Sequence, residues 1–188
     1  MPSSSRNIHI TGAAGAGVTT LGAALSQRLG LTHCDTDDFY WKRTEPPYQE
    51  KRTVEERLRR LRKAFAAARH GWVLSGSVNG WGDIFAPWFD LVVFVDTPTS
   101  IRLERLRQRE LARFGAAALA PGGTMYETHT AFLDWAASYD YSDHPGRNRL
   151  RHLTWLETLA CTVVKVDGCR PVDELVAEVE AGFDPPSR

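Results

Sequence analysis

The chain has 188 residues, 23 basic and 23 acidic, and no net charge at pH 7. That length suits one domain with a substantial core, and the charge balance removes the global positive footprint of a nucleic-acid binder or a polybasic membrane-surface protein. Three cysteines without a CxxC pair exclude a disulfide framework and a cysteine-rich zinc site. The amino terminus has no apolar signal core, and the longest dense apolar run, Leu91 to Val95, is far too short to span a bilayer. The expectation is a cytoplasmic protein, monomer or homodimer, with a small-molecule partner and with neither nucleic acid nor membrane as partner.

Ile8 to Thr11 is a short β-rich run, followed by glycines and by Leu21, Leu25 and Leu29 at helical spacing, which predicts strand, tight loop and helix. A weaker strand is expected near Leu31 to Cys34. Val54, Leu58, Leu61 and Phe65 form a helical stripe ahead of a strand at Trp72 to Gly76, and Leu91 to Asp96 is a second apolar strand with a helix starting near Pro98. Helices are expected over Met125 to Ala137 and from about Arg147 to Leu159. A strand at Cys161 to Asp167 and a last helix carrying Val172, Leu175, Val176 and Val179 complete the chain. Continuous apolar strands alternating with amphipathic helices predict a single α/β domain over residues 1–188, a five-stranded parallel sheet with helices on both faces. "KRTEPPYQEK" and "FGAAALAPGGT" interrupt this order. They read either as substrate and lid segments, covering about residues 42–70 and 110–148, or as ordinary surface loops.

The stretch "GAAGAGVTT" carries the clearest chemistry. Gly12, Ala13, Ala14, Gly15, Ala16 and Gly17 lie between strand and helix, where small residues let backbone N–H groups surround phosphate oxygens. Against GxxxxGK[ST] the spacing reads GxxxxGVT, so Val18 stands at the lysine position, Thr19 at the magnesium-ligand position, and Thr20 within reach of a phosphate. A merely tight strand-to-helix turn is the plain alternative. Loss of the lysine removes a cation from the outer phosphates and leaves the backbone cradle intact, so binding survives a change that threatens catalysis.

Four segments in order, "GAAGAGVTT", "CDTDDFYW", "WVLSGSVNGWGD" with the arginine helix after Asp96, and "VDGCRPVDEL", make the chain resemble the nucleoside-monophosphate-kinase and shikimate-kinase group of P-loop kinases. The departure is Val18. The resemblance implies a three-layer P-loop fold with a helical lid, ATP and magnesium as cofactors, and transfer of the terminal phosphate to a nucleotide or small-metabolite hydroxyl. A nucleotide-binding regulatory module with little turnover is the alternative that Val18 raises.

Asp35 and Asp37, two apart at the end of the second strand, would share one face in extended backbone. Asp37 is placed to take the acceptor's proton, or the acids form a turn capping a helix. The resemblance implies that the pair, Asp35 with Thr19, holds magnesium and orients the acceptor. Phe39, Tyr40 and Trp41 either wall a pocket or simply pack. Arg102, Arg105, Arg109 and Arg113 fall on one helical face with few intervening acids, a surface for nucleotide phosphates or a solvated face. By resemblance Arg105 and Arg109 match the lid-helix arginines that meet adenine and phosphates, and Arg109 is the first candidate to replace the lysine. Arg147 and Arg149 resemble the arginine segment after the lid and are expected in catalysis ahead of Arg151. Gly168 and Arg170 resemble the adenine turn, or form a plain strand-to-helix turn. Ser75, Gly76, Ser77, Asn79 and Asp83 end the third strand at the edge where open parallel sheets place ligands, and the first four are candidate acceptor contacts. The six histidines show no ligand spacing and read as core or surface residues.

Overall fold

In the computed structural model, which describes residues 6–141 and 146–183, the chain runs β1 (Arg6–Gly12), α1 (Val18–Leu29), β2 (Thr32–Asp35), α2 (Thr36–Tyr40), α3 (Val54–Ala67), β3 (Gly71–Ser75) and β4 (Leu91–Asp96). It continues through α4 (Thr99–Phe114), α5 (Ala116–Leu119), α6 (Tyr126–Ala137), α7 (Arg149–Glu157), β5 (Thr162–Asp167) and α8 (Val172–Phe183), with 3-10 turns at Asp83–Trp88 and Ser138–Asp140. The five strands form one parallel sheet in the order β2-β3-β1-β4-β5. Ile8 stands beside Val73 on one side and Leu91 on the other.

The central strands are unbroken apolar runs because both faces are covered. Alternate residues go to opposite sides. Ile8, Ile10, Val93 and Val95 meet Leu21 and Leu25 of α1 and Leu175 and Val179 of α8, while Trp72, Leu74, Val92 and Phe94 meet Leu61 and Phe65 of α3 and Trp155 and Leu156 of α7. Phe65 stacks on Trp72 with ring centroids 3.8 Å apart. Each such side chain, fully buried, contributes roughly 1.5–3 kcal/mol.

Because every strand runs the same way, Gly12, Asp35, Ser75, Asp96 and Asp167 all arrive at one edge of the sheet. One expectation needs correction. The first of the two segments taken as substrate and lid, about residues 42–70, includes α3, whose Leu61 and Phe65 are core; the exposed connection is residues 42–53. Part of the other segment, residues 142–145, lies outside the described residues. Among the described residues no helix is long and apolar enough to cross a membrane.

The core also holds two histidines. His9 on β1 is fully buried, donates from Nδ1 to the Leu74 carbonyl at 3.1 Å and stacks on Phe89. His152 on α7 is equally buried. Burial lowers the pKa of His9 from 6.5 to about 4 and that of His152 to about 3, so both are neutral in the fold but take up a proton on unfolding below about pH 6.5. Their contribution is therefore complete above that value and is lost as pH falls toward the folded pKa values, with a slope of about 1.4 kcal/mol per pH unit for each histidine. Urea denaturation followed from neutral pH down to about pH 5 should show stability falling, and His9→Leu should flatten the profile by about half. A profile that is level over that range contradicts the assignment.

Candidate active site

The loop between β1 and α1 is shaped from behind. Gly15 and Gly17 have φ of 78° and 103°, values that favour glycine. A Cβ on Gly15 would stand 2.6 Å from the Arg102 carbonyl, and one on Gly12 2.7 Å from that of Val95. Loop carbonyls are held outward: Ala14 accepts from Arg102 Nη1 at 3.3 Å, while Ala16 accepts from Thr97 Oγ1 at 3.0 Å and Arg105 Nη1 at 3.3 Å. Since a trans peptide points its N–H opposite its carbonyl, these bonds turn the Gly15 and Gly17 N–H groups to the other side. A Cβ at Gly17 would meet only Arg105 Nη1, at 3.6 Å, so this residue is uncrowded. The amino terminus of α1 has no side-chain cap. Such a cradle, with unfilled donors beside open space, fits a phosphate.

Val18 does not face that space. Its side chain is buried in the α1–α8 core and would stand 3.2 Å from a Cβ on Gly12, so of the residue expected to touch the cofactor only the backbone faces the cradle. Thr19 and Thr20 are exposed at the top of α1, and Thr19 Oγ1 donates to Asp35 Oδ2 at 2.7 Å. A hydroxyl and a carboxylate in contact beside a phosphate cradle form a donor set suited to magnesium.

Asp35 ends β2, and its other oxygen accepts from the Asp37 N–H at 2.9 Å, capping α2. Asp37 thus lies in the first turn of a short helix, not in extended backbone as expected, because the side chain of Asp35 supplies the cap that starts the helix. The two acids still interact. Desolvation and the Asp35 carboxylate raise the pKa of Asp37, against the pull of Arg147 and Arg109.

The expected arginine face divides in two. Arg102 is 1% exposed and points inward. It donates to the carbonyls of Thr97, Ala14 and Ala136, to Thr99 and to Asp140. Arg105, Arg109 and Arg113 run along the flank. Arg105 spans the loop and the turn after β5, donating to Ala16 O and, at 2.9 Å, to Gly168 O. Gly168 has no room for a side chain, since a Cβ there would meet Ala16 O at 2.8 Å. Arg109 and Arg113 pair with the buried Glu110, at 3.0 and 3.7 Å. Two cations are therefore bonded to the loop, the buried Arg102 at Ala14 and the partly exposed Arg105 at Ala16, one turn before the expected Arg109, and Glu110 supplies the neutralising acid that the sequence reading missed.

Of the later arginines, Arg147 turns toward the acids. Its Nε is buried without a hydrogen-bond partner, its guanidinium lies 5.3 Å from the Trp135 ring, and burial lowers its pKa while Tyr139, Asp37 and Tyr40 raise it. Arg149 instead grips Asp96 with both Nη atoms and approaches Asp140 at 3.8 Å. Those two carboxylates pair with its charge at the end of β4. Arg170 is likewise paired with Glu174 and Glu178 along α8.

After β3 the candidates separate. Ser75 faces α1: its Oγ sits 2.8 Å from His33 Nε2 and against Gly22, so the acceptor role expected of it gives way to helix packing. A Cβ on Gly76 would strike Thr36. Ser77 is joined to His152, and Asn79 is partly exposed in the same loop. One residue the sequence reading passed over is Arg57. It is 7% exposed, its Nε has no partner, and its guanidinium stacks 3.6 Å from the centre of Tyr40, one helical turn beyond Asp37. The available signal was an arginine at the spacing of the apolar stripe Val54, Leu58 and Leu61.

Residues 8–113 match the family described as AAA domain. An uncharacterized protein YqaC from Bacillus subtilis is 47% identical over 174 residues, covering 93% of this chain and 95% of that protein. A cytidylate kinase from Natronomonas pharaonis is 30% identical over 113 residues, 55% of this chain and 58% of its own length. A shikimate kinase from Acinetobacter baumannii, in complex with shikimate, shares the fold with a TM-score of 0.57 at 16% identity, over 95% of this chain and 93% of that one.

The buried arginine behind the loop gives a direct test of this arrangement. Arg102→Met takes the donor from three carbonyls, and leaving a buried acceptor unsatisfied costs about 1–3 kcal/mol, while Asp140, 35% exposed and still bonded to Thr99 Oγ1, keeps water and a donor. Chemical denaturation should show a loss of that size. A variant within about 0.5 kcal/mol of the parent would mean that water or rearrangement replaces the guanidinium.

Proposed function

This chain belongs to the AAA domain family and to the nucleoside-monophosphate-kinase and shikimate-kinase-like group of P-loop kinases, and from that premise we propose that it transfers the terminal phosphate of ATP to a hydroxyl of a small anionic acceptor in the cytoplasm. The observation that carries this reading is the grouping of the phosphate cradle, the Thr19–Asp35 pair and the raised Asp37 at one sheet edge, with two partnerless buried guanidinium nitrogens nearby. Magnesium bound by Thr19 and Asp35 would supply positive charge to the phosphate oxygens.

Asp37 has the role of orienting the acceptor hydroxyl and taking its proton, and a carboxylate with a raised pKa is the better base. Arg57 stacks on Tyr40 and Arg147 feels the charge of Asp37, and each has an Nε–H to offer to an acid group of the acceptor. Buried donors left unpaired disfavour an acceptor without such a group.

Val18 supports a second reading, a nucleotide-binding module with little turnover, because its side chain belongs to the core and leaves the loop without a cation of its own. On the first reading Arg105 is the replacement. Its guanidinium lies against the loop, bonded to Ala16 O and Gly168 O, and on release from those carbonyls its planar fork could span two phosphate oxygens.

Thermal-shift titration with ATP and magnesium, followed by phosphate transfer from labelled ATP to hydroxy acids, nucleoside monophosphates and neutral polyols, tests both the activity and the acceptor class. Label should enter an anionic acceptor; transfer confined to neutral polyols would sink that part of the proposal. Asp37→Asn should abolish turnover with little change in ATP affinity. Because the raised pKa of Asp37 means that its ionised form is penalised in the fold above that pKa, this variant should melt no lower than the parent at neutral pH.

Arg105→Ala should lower turnover by about a hundredfold or more, with part of the loss recovered by Val18→Lys in the same chain. An Arg105→Ala enzyme of full activity overturns the replacement. A parent that binds ATP without turnover and gains it through Val18→Lys alone is the binding module.

A further inference from the structure

Behind the acceptor loop lies a buried hydroxyl–imidazole cluster that neither the sequence motifs nor the proposed chemistry uses. His152 Nε2 stands 3.1 Å from Ser77 Oγ and 3.3 Å from Thr11 Oγ1, and its Nδ1 is 2.8 Å from the Tyr139 hydroxyl. His152 and Thr11 are fully buried and Tyr139 is 4% exposed. The four residues come from α7, the loop after β3, the end of β1 beside Gly12, and the 3-10 turn that follows α6. One ring thus touches the strand that enters the phosphate cradle, the loop after β3 and the turn after α6.

Either tautomer leaves two of the three hydroxyl protons without an acceptor in the cluster, so burial decides how the ring is used: Tyr139 is 4% exposed, whereas Ser77 is half-buried and can donate outward. A neutral imidazole has one N–H and one lone pair. If the proton were on Nδ1, the single lone pair of Nε2 could accept from only one of two nearby hydroxyls, and the Tyr139 proton would have no acceptor among its hydrogen bonds. With the proton on Nε2, Tyr139 donates to Nδ1, and Nε2–H is shared between Ser77 Oγ and Thr11 Oγ1. A shared N–H of this kind is an ordinary arrangement. Protonating both nitrogens would place a cation near Arg147, whose charge already disfavours it. Tyr139 keeps its own proton because burial raises its pKa to about 12.

We propose that His152 is a positioning residue: its Nε2–H, fixed by Tyr139 at Nδ1, occupies the acceptor side of the Ser77 hydroxyl and so turns the Ser77 proton away from the core as a donor to the oxygen-rich acceptor. Tyr139 follows α6 directly and lies 5.2 Å from the Arg102 guanidinium, ring centre to carbon. The orientation of the Ser77 hydroxyl is thereby linked to the same turn, Ser138–Asp140, that Arg102 anchors through Asp140. The Ser77 backbone is fixed separately, its carbonyl accepting from Trp81 Nε1 at 3.0 Å, so the hydroxyl rotor is the variable that the histidine sets.

The consequence for turnover rests on the phosphotransfer reading, but the tautomer does not, and the two are measured separately. In the ligand-free protein labelled with ¹⁵N-histidine, long-range nitrogen–proton correlations should show His152 neutral with the proton on Nε2, and Tyr139→Phe should convert it to a mixture of tautomers. A proton on Nδ1 overturns the proposal with no ligand involved. The second arm follows phosphate transfer from magnesium–ATP to the hydroxy acid or nucleoside monophosphate that takes up label in the acceptor screen, since Ser77 is assigned to that acceptor. His152→Gln keeps a donor near the Nε2 position and should retain most of the parent rate, whereas His152→Asn reaches only Tyr139 and should lose about tenfold, the value of one hydrogen bond made in the transition state. Ser77→Ala should show the same loss, and the double variant no more than either single one, with ATP affinity unchanged throughout. Additive losses, or a folded His152→Asn variant at the parent rate, overturn the positioning role. A parent protein that binds no ATP instead refutes the phosphotransfer reading and leaves the tautomer result to stand or fall by itself.

Discussion

The guanidinium of Arg102 is the interaction on which the geometry of the site depends. A planar group with five donors can serve several acceptors at once, and here it joins the phosphate loop at Ala14, the β4–α4 turn at Thr97 and the end of α6 at Ala136 and Asp140. Burial to 1% exposure would be prohibitive for an unpaired charge. Asp140 and the surrounding carbonyls meet that requirement, and in doing so they fix peptide planes that would otherwise be free to rotate. The orientation of the cradle's N–H groups is thus imposed from outside the loop, by a residue nearly ninety positions away in sequence.

That external support explains how the loop keeps its form with valine at position 18. A lysine there would extend across the cradle and contribute charge; the valine packs down against Gly12 and Ala16 and joins the α1–α8 core. The exchange replaces an electrostatic contact with roughly 1–2 kcal/mol of apolar burial. Shape and charge are therefore carried by different residues in this chain. Shape comes from Gly15, Gly17, Thr97 and Arg102, and positive charge beside the loop from Arg105.

The sheet, its helices and the phosphate loop were legible in the sequence because each rests on local signals: apolar runs for strands, spacing of three and four for helices, glycine where φ must be positive. Even the weak strand near Cys34 forms, at Thr32–Asp35. What was not legible depends on partners distant in sequence. The inward turn of Arg102 requires Asp140 and Ala14, and nothing within α4 marks it out from Arg105. Ser75 looks like a site residue until His33 and Gly22 claim it from the α1 side. Arg149 and Arg170 carry the expected charge, but Asp96, Asp140, Glu174 and Glu178 neutralise it. The extended reading of Asp35 and Asp37 failed for a local reason, a cap that starts a helix two residues early. His152 gave no motif, since its partners come from three other elements.

Equal numbers of acids and bases leave no global field to draw an anionic ligand, so attraction has to be local. The arrangement of pairs supplies it. Arg102, Arg109, Arg149 and Arg170 each lie within a salt bridge to a carboxylate, which removes most of their reach in water. Arg57 and Arg147 each retain a buried Nε without a partner, Arg57 stacked on Tyr40 and Arg147 within the field of Asp37. A ligand bringing acceptor atoms to these donors would satisfy hydrogen bonds that the protein does not make for them, so for an acceptor bound beside Asp37 the same two residues would favour one that carries an acid group.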